Sequence, residues 1–476
     1  MRNFRIMLLV IVSLLMCTIA FGQSESISDI TNLVNDQAAE SHSVSYWLNR
    51  VARGLLGLFS LLLLTWLFSR DRRNIPWALV FKSLLVQISL AFSIIHIPFV
   101  KDIFESMSRG FVWLLSFATA GSEFLFGSLV TDTEGLGFIF AFQVLPTVVF
   151  FSAITSIFFY FGILQKVVHF FAIGMRKTFG LSGAESLAAV GNVFLGQTEA
   201  PLLVRPYIEK MTRSELLCLM GGGMSTIAGG VLAAYIGFLG GAEEARQIFF
   251  AKHLIAASVM SAPAAILAAK MILPERGEVQ LEARIDPQDS GSNLLEAISN
   301  GTVQGLKLAV NVGVMLLVFI ALIYLLNDIL FTGIGQTTGL NALINDWSGG
   351  TFEGLTMQSI LGFILAPVAW LMGVNSNDML QVGQLLGEKT VINEFVAYVS
   401  LAEMQAAGKF YEERSIVIAT YILCGFSNFA SIGIQIGGIG ALAPGRRKEL
   451  SELGFLALLV GTLASLFTAV VVGMLI

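Results

Sequence analysis

Long apolar runs interrupted by short polar clusters organise this chain. Runs long enough to cross about 30 Å of hydrocarbon occur at about 51–69, 76–97, 136–164, 214–239, 248–273, 303–328, 410–440 and 452–476. Each predicts a transmembrane helix. Shorter or polar-punctuated stretches fall at 101–126, 185–206 and 354–403. The first sets Lys101, Asp102, Glu105 and Arg109 against Phe104, Phe111, Trp113 and Leu114, which predicts an amphipathic helix lying in the membrane interface. The other two predict re-entrant hairpins, although 354–373 alone is long enough to span.

Two carboxylates sit inside this membrane-grade sequence, in Asn192…Gly196-Gln197-Thr198-Glu199-Ala200-Pro201 and in Asn393-Glu394-Phe395. An ionisable group at bilayer depth costs roughly 2.5–3.5 kcal/mol on insertion scales and is kept mainly where it meets a solute, an ion or a partner charge. Each cluster precedes a helix broken by small polar residues, at Gly221–Gly230 and at Gly425–Ser431. Two halves that each carry a polar hairpin and then a broken helix are the pattern of a secondary transporter.

Positive residues sort to the cytoplasm. Arg70, Arg72 and Arg73, then Lys166, Arg176 and Lys177, then Arg205, Lys210 and Arg213, then Arg446, Arg447 and Lys448 mark one side; Asp132, Glu134, Glu243, Glu244, Asp346 and Glu353 mark the other. The pattern closes only if hairpin 185–206 opens to the cytoplasm and hairpin 354–403 to the outside, which makes the halves antiparallel. The expected fold is therefore an all-α polytopic membrane protein. It has about eight transmembrane helices, two re-entrant hairpins and two broken helices in an inverted repeat. The chain divides into a signal peptide (1–22), a periplasmic tail (23–50), scaffold helices with the interfacial helix (51–164), and a first transport half (165–273). A cytoplasmic linker (274–293), a scaffold helix and link (294–350) and a second transport half (351–476) follow.

Arg2 and Arg5 before an apolar stretch, with Ala20-Phe21-Gly22 after it, read as a signal peptide cut before Gln23. An uncleaved first helix is the alternative. Cleavage leaves both mature termini in the periplasm of a multi-pass inner-membrane protein. The composition, 55% hydrophobic and 13% charged, is about half the charge of a soluble domain. A net charge of −5 without a basic, aromatic-laced stripe excludes a nucleic-acid partner. Three scattered cysteines and four scattered histidines form neither a disulfide framework nor a metal site.

Unwound helix ends leave carbonyls that, with an amide or hydroxyl oxygen, suit a small hard cation. Asn192, Thr198 and Thr226, with the backbone at Leu195 and Ile227, are a candidate sodium cage; the alternative is that Asn192 and Thr226 merely cap helix ends. Gln197, Thr198 and Glu199, with Glu394, Asn428 and Ser431, suit a neutral solute rich in donors, and Phe426 offers it a flat apolar face. A nucleoside fits such a set. Sugars, or an internal ion pair, fit the same residues. A membrane enzyme using Glu199 and Glu394 as a carboxylate pair and a nucleoside-binding sensor are the readings from other classes. No Ser/His/Asp grouping or zinc-protease motif supports an enzyme, and no organic cofactor motif follows a strand.

Three stretches resemble one family in order. Gly191-Asn192-Val193-Phe194-Leu195-Gly196-Gln197-Thr198-Glu199-Ala200-Pro201-Leu202 resembles the first hairpin of the concentrative nucleoside transporters. Asn393-Glu394-Phe395-Val396-Ala397-Tyr398 resembles their second hairpin, and Cys424–Ile432 with Gly437-Gly438 and Ala443-Pro444 their broken seventh helix. The resemblance covers roughly 51–476 and implies a sodium- or proton-driven nucleoside symporter, a homotrimer, and an elevator-like movement of a hairpin domain against a scaffold. By it, Gln197, Thr198 and Glu199 face the base, Glu394, Asn428 and Ser431 face the ribose, and Phe426 and Val231 wall the base. Asn192, Leu195, Thr226 and Ile227 then hold Na+ as coupling ion. Thr226 stands where similar proteins carry serine; the hydroxyl is preserved, which favours sodium over proton coupling.

Overall fold

The computed structural model describes residues 44–476 except 133, 134, 137, 138, 242 and 278–292. The expected signal peptide, most of the tail, Glu134 and most of the interdomain linker lie outside the described residues. The described residues are nearly all helical, with no strand among them. Val44–Phe68 (α1) and Trp77–His96 (α2) come first, followed by Pro98–Phe126 (α3). Ser108, Val112, Leu115, Ala118 and Ser122 form the single buried stripe of α3, at the three- and four-residue spacing of an amphipathic helix. That stripe packs on Glu244–Ile272, and the rest of the helix, Trp113 included, is exposed or half-buried.

Leu145–Tyr160 (α4) and the amphipathic Ile163–Phe179 (α5) lead into the first hairpin. Its first limb is Gly183–Phe194 (α6), and its return is two single turns, Ala200–Leu203 and Arg205–Ile208. Pro206 keeps the return from forming one helix, because it lacks the N–H a continuing helix needs, while Pro201 sits in the first turn, where that N–H would be unpaired anyway. Arg213–Ser225 (α7) begins with a capping box, Thr212 against Glu215, and stops at Thr226. Gly229–Gly240 (α8) resumes three residues later, so the expected span 214–239 is one helix with an unwound middle.

Glu244–Ile272 (α9) closes the first half. The second opens with Leu294–Asp328 (α10), continued by a π-helical turn at Ile329–Gly335, and the short Leu340–Trp347 (α11). The expected hairpin 354–403 resolves into three helices: Met357–Leu371 (α12), Met379–Val391 (α13) and Glu394–Ala406 (α14). Helix α12, at 15 residues, reaches about 22 Å, short of the hydrocarbon thickness. It packs along α13, and the hairpin proper is α13–α14. The expected span 410–440 is likewise two pieces, Glu413–Leu423 (α15) and Phe429–Leu442 (α16), before Arg447–Leu475 (α17). Five unwound residues, Cys424–Asn428, part α15 from α16.

Among the described residues, seven helical runs are long and apolar enough to cross a membrane. The eighth expected span, the α15–α16 pair, is too short in either piece to do so alone. Helices α9 and α17 form the centre and pack on each other and on α7. Their apolar windows are 89% and 83% buried, whereas that of α10 is 17% buried. A soluble protein would not leave such a face open; a bilayer helix does so at no hydrophobic cost, since lipid tails are as apolar as leucine.

Candidate functional site

The two unwound segments touch. A Cβ on Gly425 would lie 2.6 Å from the Ser225 carbonyl oxygen and 2.7 Å from that of Met224. Gly425 also holds φ at +90°, so glycine is required here on both counts. This crossing brings the two hairpin tips and two helix breaks to one place.

Between them lies a cavity of about 380 Å³. Gln197, Thr198 and Glu199 line it from the first hairpin, Glu394 from the second, and Val231, Phe426, Asn428 and Ser431 from the broken helices. All eight residues expected to face a solute therefore meet in one chamber. Its far wall is α10, through Leu308, Asn311, Val312, Met315 and Leu316. Convergent polar groups on an apolar lining, at this volume, are the usual make-up of a small-molecule site.

Helix caps fix the polar groups. Asn428 Oδ1 accepts the Ser431 N–H at 2.8 Å, capping α16, while its Nδ2 donates to Glu394 Oε2 at 2.6 Å. Asn393 caps α14 by accepting the Val396 N–H at 2.9 Å, which places Glu394 in the first turn, where the helix dipole favours a carboxylate. Gln197 Nε2 donates to Ser431 Oγ at 3.2 Å, linking the first hairpin to the second break. Thr198 is exposed and Glu199 half-buried at the tip. Glu199 also borders a second cavity of about 380 Å³ facing Ser152, Asn300 and Lys307.

Asn192 is fully buried near the end of α6. Its Nδ2 donates to Leu219 O at 3.4 Å, and its Oδ1 has no hydrogen-bond partner among the described residues. Thr226 Oγ1 spends its hydrogen on Gly222 O at 3.1 Å and keeps its lone pairs. Asn192 is inside a helix rather than capping its start; Thr226 is the residue that ends α7. Ser258 ties the two regions, donating to Val193 O at 3.1 Å and meeting the Ile227 N–H at 3.5 Å. Leu195 is the residue at which α6 stops. Among the described residues no three His, Cys, Asp or Glu side chains cluster for a metal; what this place offers is neutral oxygen.

Two residues at or beside the chamber escaped the sequence reading. Gln435, fully buried on α16, donates to Gln197 Oε1 at 3.2 Å and to Met220 O at 2.9 Å. A lone amide within Ile434-Gln435-Ile436 was the available signal. Asn311 has a similar one, an amide in the apolar run of α10.

Comparison with known proteins settles the kind of molecule. Profiles described as "Na+ dependent nucleoside transporter" match residues 56–129 (its N-terminus) and 253–473 (its C-terminus), and one described as "Nucleoside recognition" matches 141–242. An uncharacterized transporter of Haemophilus influenzae is 39% identical across 89% of this chain and 97% of its own length. The chain belongs to the concentrative nucleoside transporter family.

It is a transporter, not an enzyme. The rat sodium/nucleoside cotransporter 1 is 37% identical over 88% of this chain and 63% of its own. The solved structure of CNTnw in an inward-facing, substrate-bound state superposes with a TM-score of 0.81 at 36% identity, covering 89% of this transporter and 98% of that chain.

Proposed function

We propose that this transporter takes up nucleosides by symport with sodium, moving its hairpin domain against α4 and α10 like an elevator. The observation that carries the reading is the single chamber in which Gln197, Thr198, Glu199, Val231, Glu394, Phe426, Asn428 and Ser431 converge. Base donors and acceptors meet Gln197, Thr198 and Glu199; ribose hydroxyls donate to Glu394 and bond to Asn428 and Ser431; Phe426 and Val231 flank the base. Sodium rests among Asn192, Leu195, Thr226 and Ile227, and the unpartnered Asn192 Oδ1 supports a cation there.

Coupling follows from linkage. Sodium that orders the first hairpin tip raises affinity for a solute touching Gln197 and Glu199, and the solute raises sodium affinity by the same factor. One cation moving down about 100 mV contributes roughly 2.3 kcal/mol, about fifty-fold in accumulation. The proposal places the transporter in the inner membrane, as a homotrimer with both mature termini outside. The open apolar face of α10 is available to lipid or to another copy.

The test is uptake of labelled uridine and adenosine by proteoliposomes, with and without an inward sodium gradient at matched pH and potential. Accumulation only with sodium is expected. Accumulation driven by a pH gradient alone would retire the sodium cage and leave proton symport. Saturable binding without accumulation would replace transport by sensing.

A further inference from the structure

The inverted repeat gives the helix break of the first half a counterpart in the second. Asn192 stands two residues before the end of α6, and Lys389 stands two residues before the end of α13. Each first limb lies against the broken helix of its own half, α6 on α7 and α13 on α15. Asn192 brings an unpartnered oxygen to its break. Lys389 brings an ammonium.

That ammonium is fully buried, and no carboxylate pairs with it among the described residues. Its three hydrogens go to Ile422 O at 2.8 Å, Cys424 O at 2.9 Å and Ser465 Oγ at 3.1 Å. Two of these are carbonyls freed where α15 ends, at the negative end of its dipole. Neutral oxygens at a helix C-terminus are what a monovalent metal cation would find. Burying an ammonium with no carboxylate in contact is costly, and its full set of oxygen acceptors, together with the field of the nearby Glu394 carboxylate, compensates.

We propose that Lys389 is a tethered cation filling, in the second half, the ion position that the first half leaves for sodium. The second break is then occupied by the protein's own cation and closed to free ions, and each cycle carries one coupling ion rather than two. The asymmetry between the halves resides in one side chain: an amide oxygen that receives a cation in one, an amine that supplies it in the other. The comparison of breaks rests on the sodium site proposed around Asn192; the bonding of Lys389 stands independently of it.

Two measurements decide the matter. In proteoliposomes of the unmodified transporter, the ratio of labelled sodium to labelled uridine carried should be one; a ratio of two overturns the proposal. In purified protein, sodium at the concentration that half-saturates the unmodified chain should raise its melting temperature clearly and that of Asn192→Ala far less, since the variant's sodium affinity is lowered about tenfold. In Asn192→Ala/Lys389→Asn, which exchanges the ammonium for an amide oxygen, sodium stabilisation should return. Lithium and potassium serve as size controls, because a purely structural lysine would leave no cation-selective response. A folded double variant that ignores sodium overturns the proposal, as does Lys389→Met with unmodified uptake and melting temperature. If unmodified protein shows no sodium coupling, the cage around Asn192 fails, and the response of the Lys389→Asn variant still reports on the second break.

Discussion

Asn428 joins two functions through one amide: its oxygen caps α16 and its nitrogen grips Glu394 at 2.6 Å. The carboxylate is thereby aimed by a group whose own orientation the helix start dictates. The carboxylate so held borders the chamber, where a solute hydroxyl can donate to it. A hydrogen bond to a charged group is worth about 1.5–3 kcal/mol. Glu394→Gln is therefore expected to weaken uridine binding by roughly ten- to hundredfold while the protein folds normally. The contrast between uridine and 2′,3′-dideoxyuridine should shrink with it, since the lost interaction is with ribose. Unchanged uridine affinity in isothermal titration would reject the assignment of Glu394 to the sugar.

Asn192→Ala removes an oxygen that has no hydrogen-bond partner among the described residues. The sodium concentration giving half-maximal uptake should rise about tenfold, within the usual range of coupling between two ligands. Uptake at saturating sodium should recover most of its rate. A sodium curve that superposes on that of the unmodified transporter would remove Asn192 from the site.

Most of this architecture was legible because bilayer physics is strict. Apolar length located α1, α2, α4, α9 and α17, and polar clusters located both hairpins, because a carboxylate at depth has few structural excuses. The extent of the second hairpin was not legible. Helix α12 is as apolar as a span, and only its length of 15 residues and its packing along α13 separate it from the limbs of the hairpin. Gln435 was missed for another reason: in sequence it is one amide in an apolar helix, and its meaning lies in Gln197, a partner 238 residues away. Lys389 was missed likewise, since nothing local shows that its acceptors are carbonyls of a helix break.

Gly425 is expected to tolerate no side chain. Alanine there would need a positive φ that L-residues avoid and would press its Cβ to 2.6 Å from the Ser225 oxygen. Backbone strain alone costs about 1–3 kcal/mol, and the overlap forces the two breaks apart. Gly425→Ala should lower both the melting temperature and uridine affinity, whereas Gly433→Ala, with open space around its Cβ position, should leave both near those of the unmodified protein. Equal behaviour of the two variants would mean that the crossing is looser than it looks.

Acid should act at the turn after α9, outside the membrane helices. Burial by itself raises the Glu275 carboxyl, but the Lys270 ammonium, the Gly277 N–H and the Thr212 hydroxyl outweigh it, so the group lies below its ordinary value. A depressed carboxylate stabilises the fold above its unfolded value of about 4.3. That contribution fades as pH falls from there through the lowered folded value. The unmodified transporter should accordingly lose more melting temperature than Glu275→Gln as pH drops from ~5 to ~3. Parallel pH curves for the two proteins would show that Glu275 contributes nothing to stability through its charge.

Lys270 anchors the first hairpin to the body of the protein. Its ammonium lies 2.7 Å from Glu185 on α6, donates to Ser214 Oγ on α7 at 3.0 Å, and reaches Glu275 at 3.2 Å. Lys270 and Glu185 are both almost wholly buried, so neither can turn to water if the other is lost. Taking one member from a buried pair costs about 3–5 kcal/mol, while replacing both with apolar residues of similar size is often neutral. Lys270→Met and Glu185→Leu should each lower the melting temperature sharply, and the double variant should regain most of the loss. Additive losses in that cycle would mean that the two residues stabilise the hairpin separately. Uptake discriminates further: a hairpin whose first limb is fixed to α7 and α9 must travel with them. The double variant should therefore keep its uridine affinity even if its rate of transport changes.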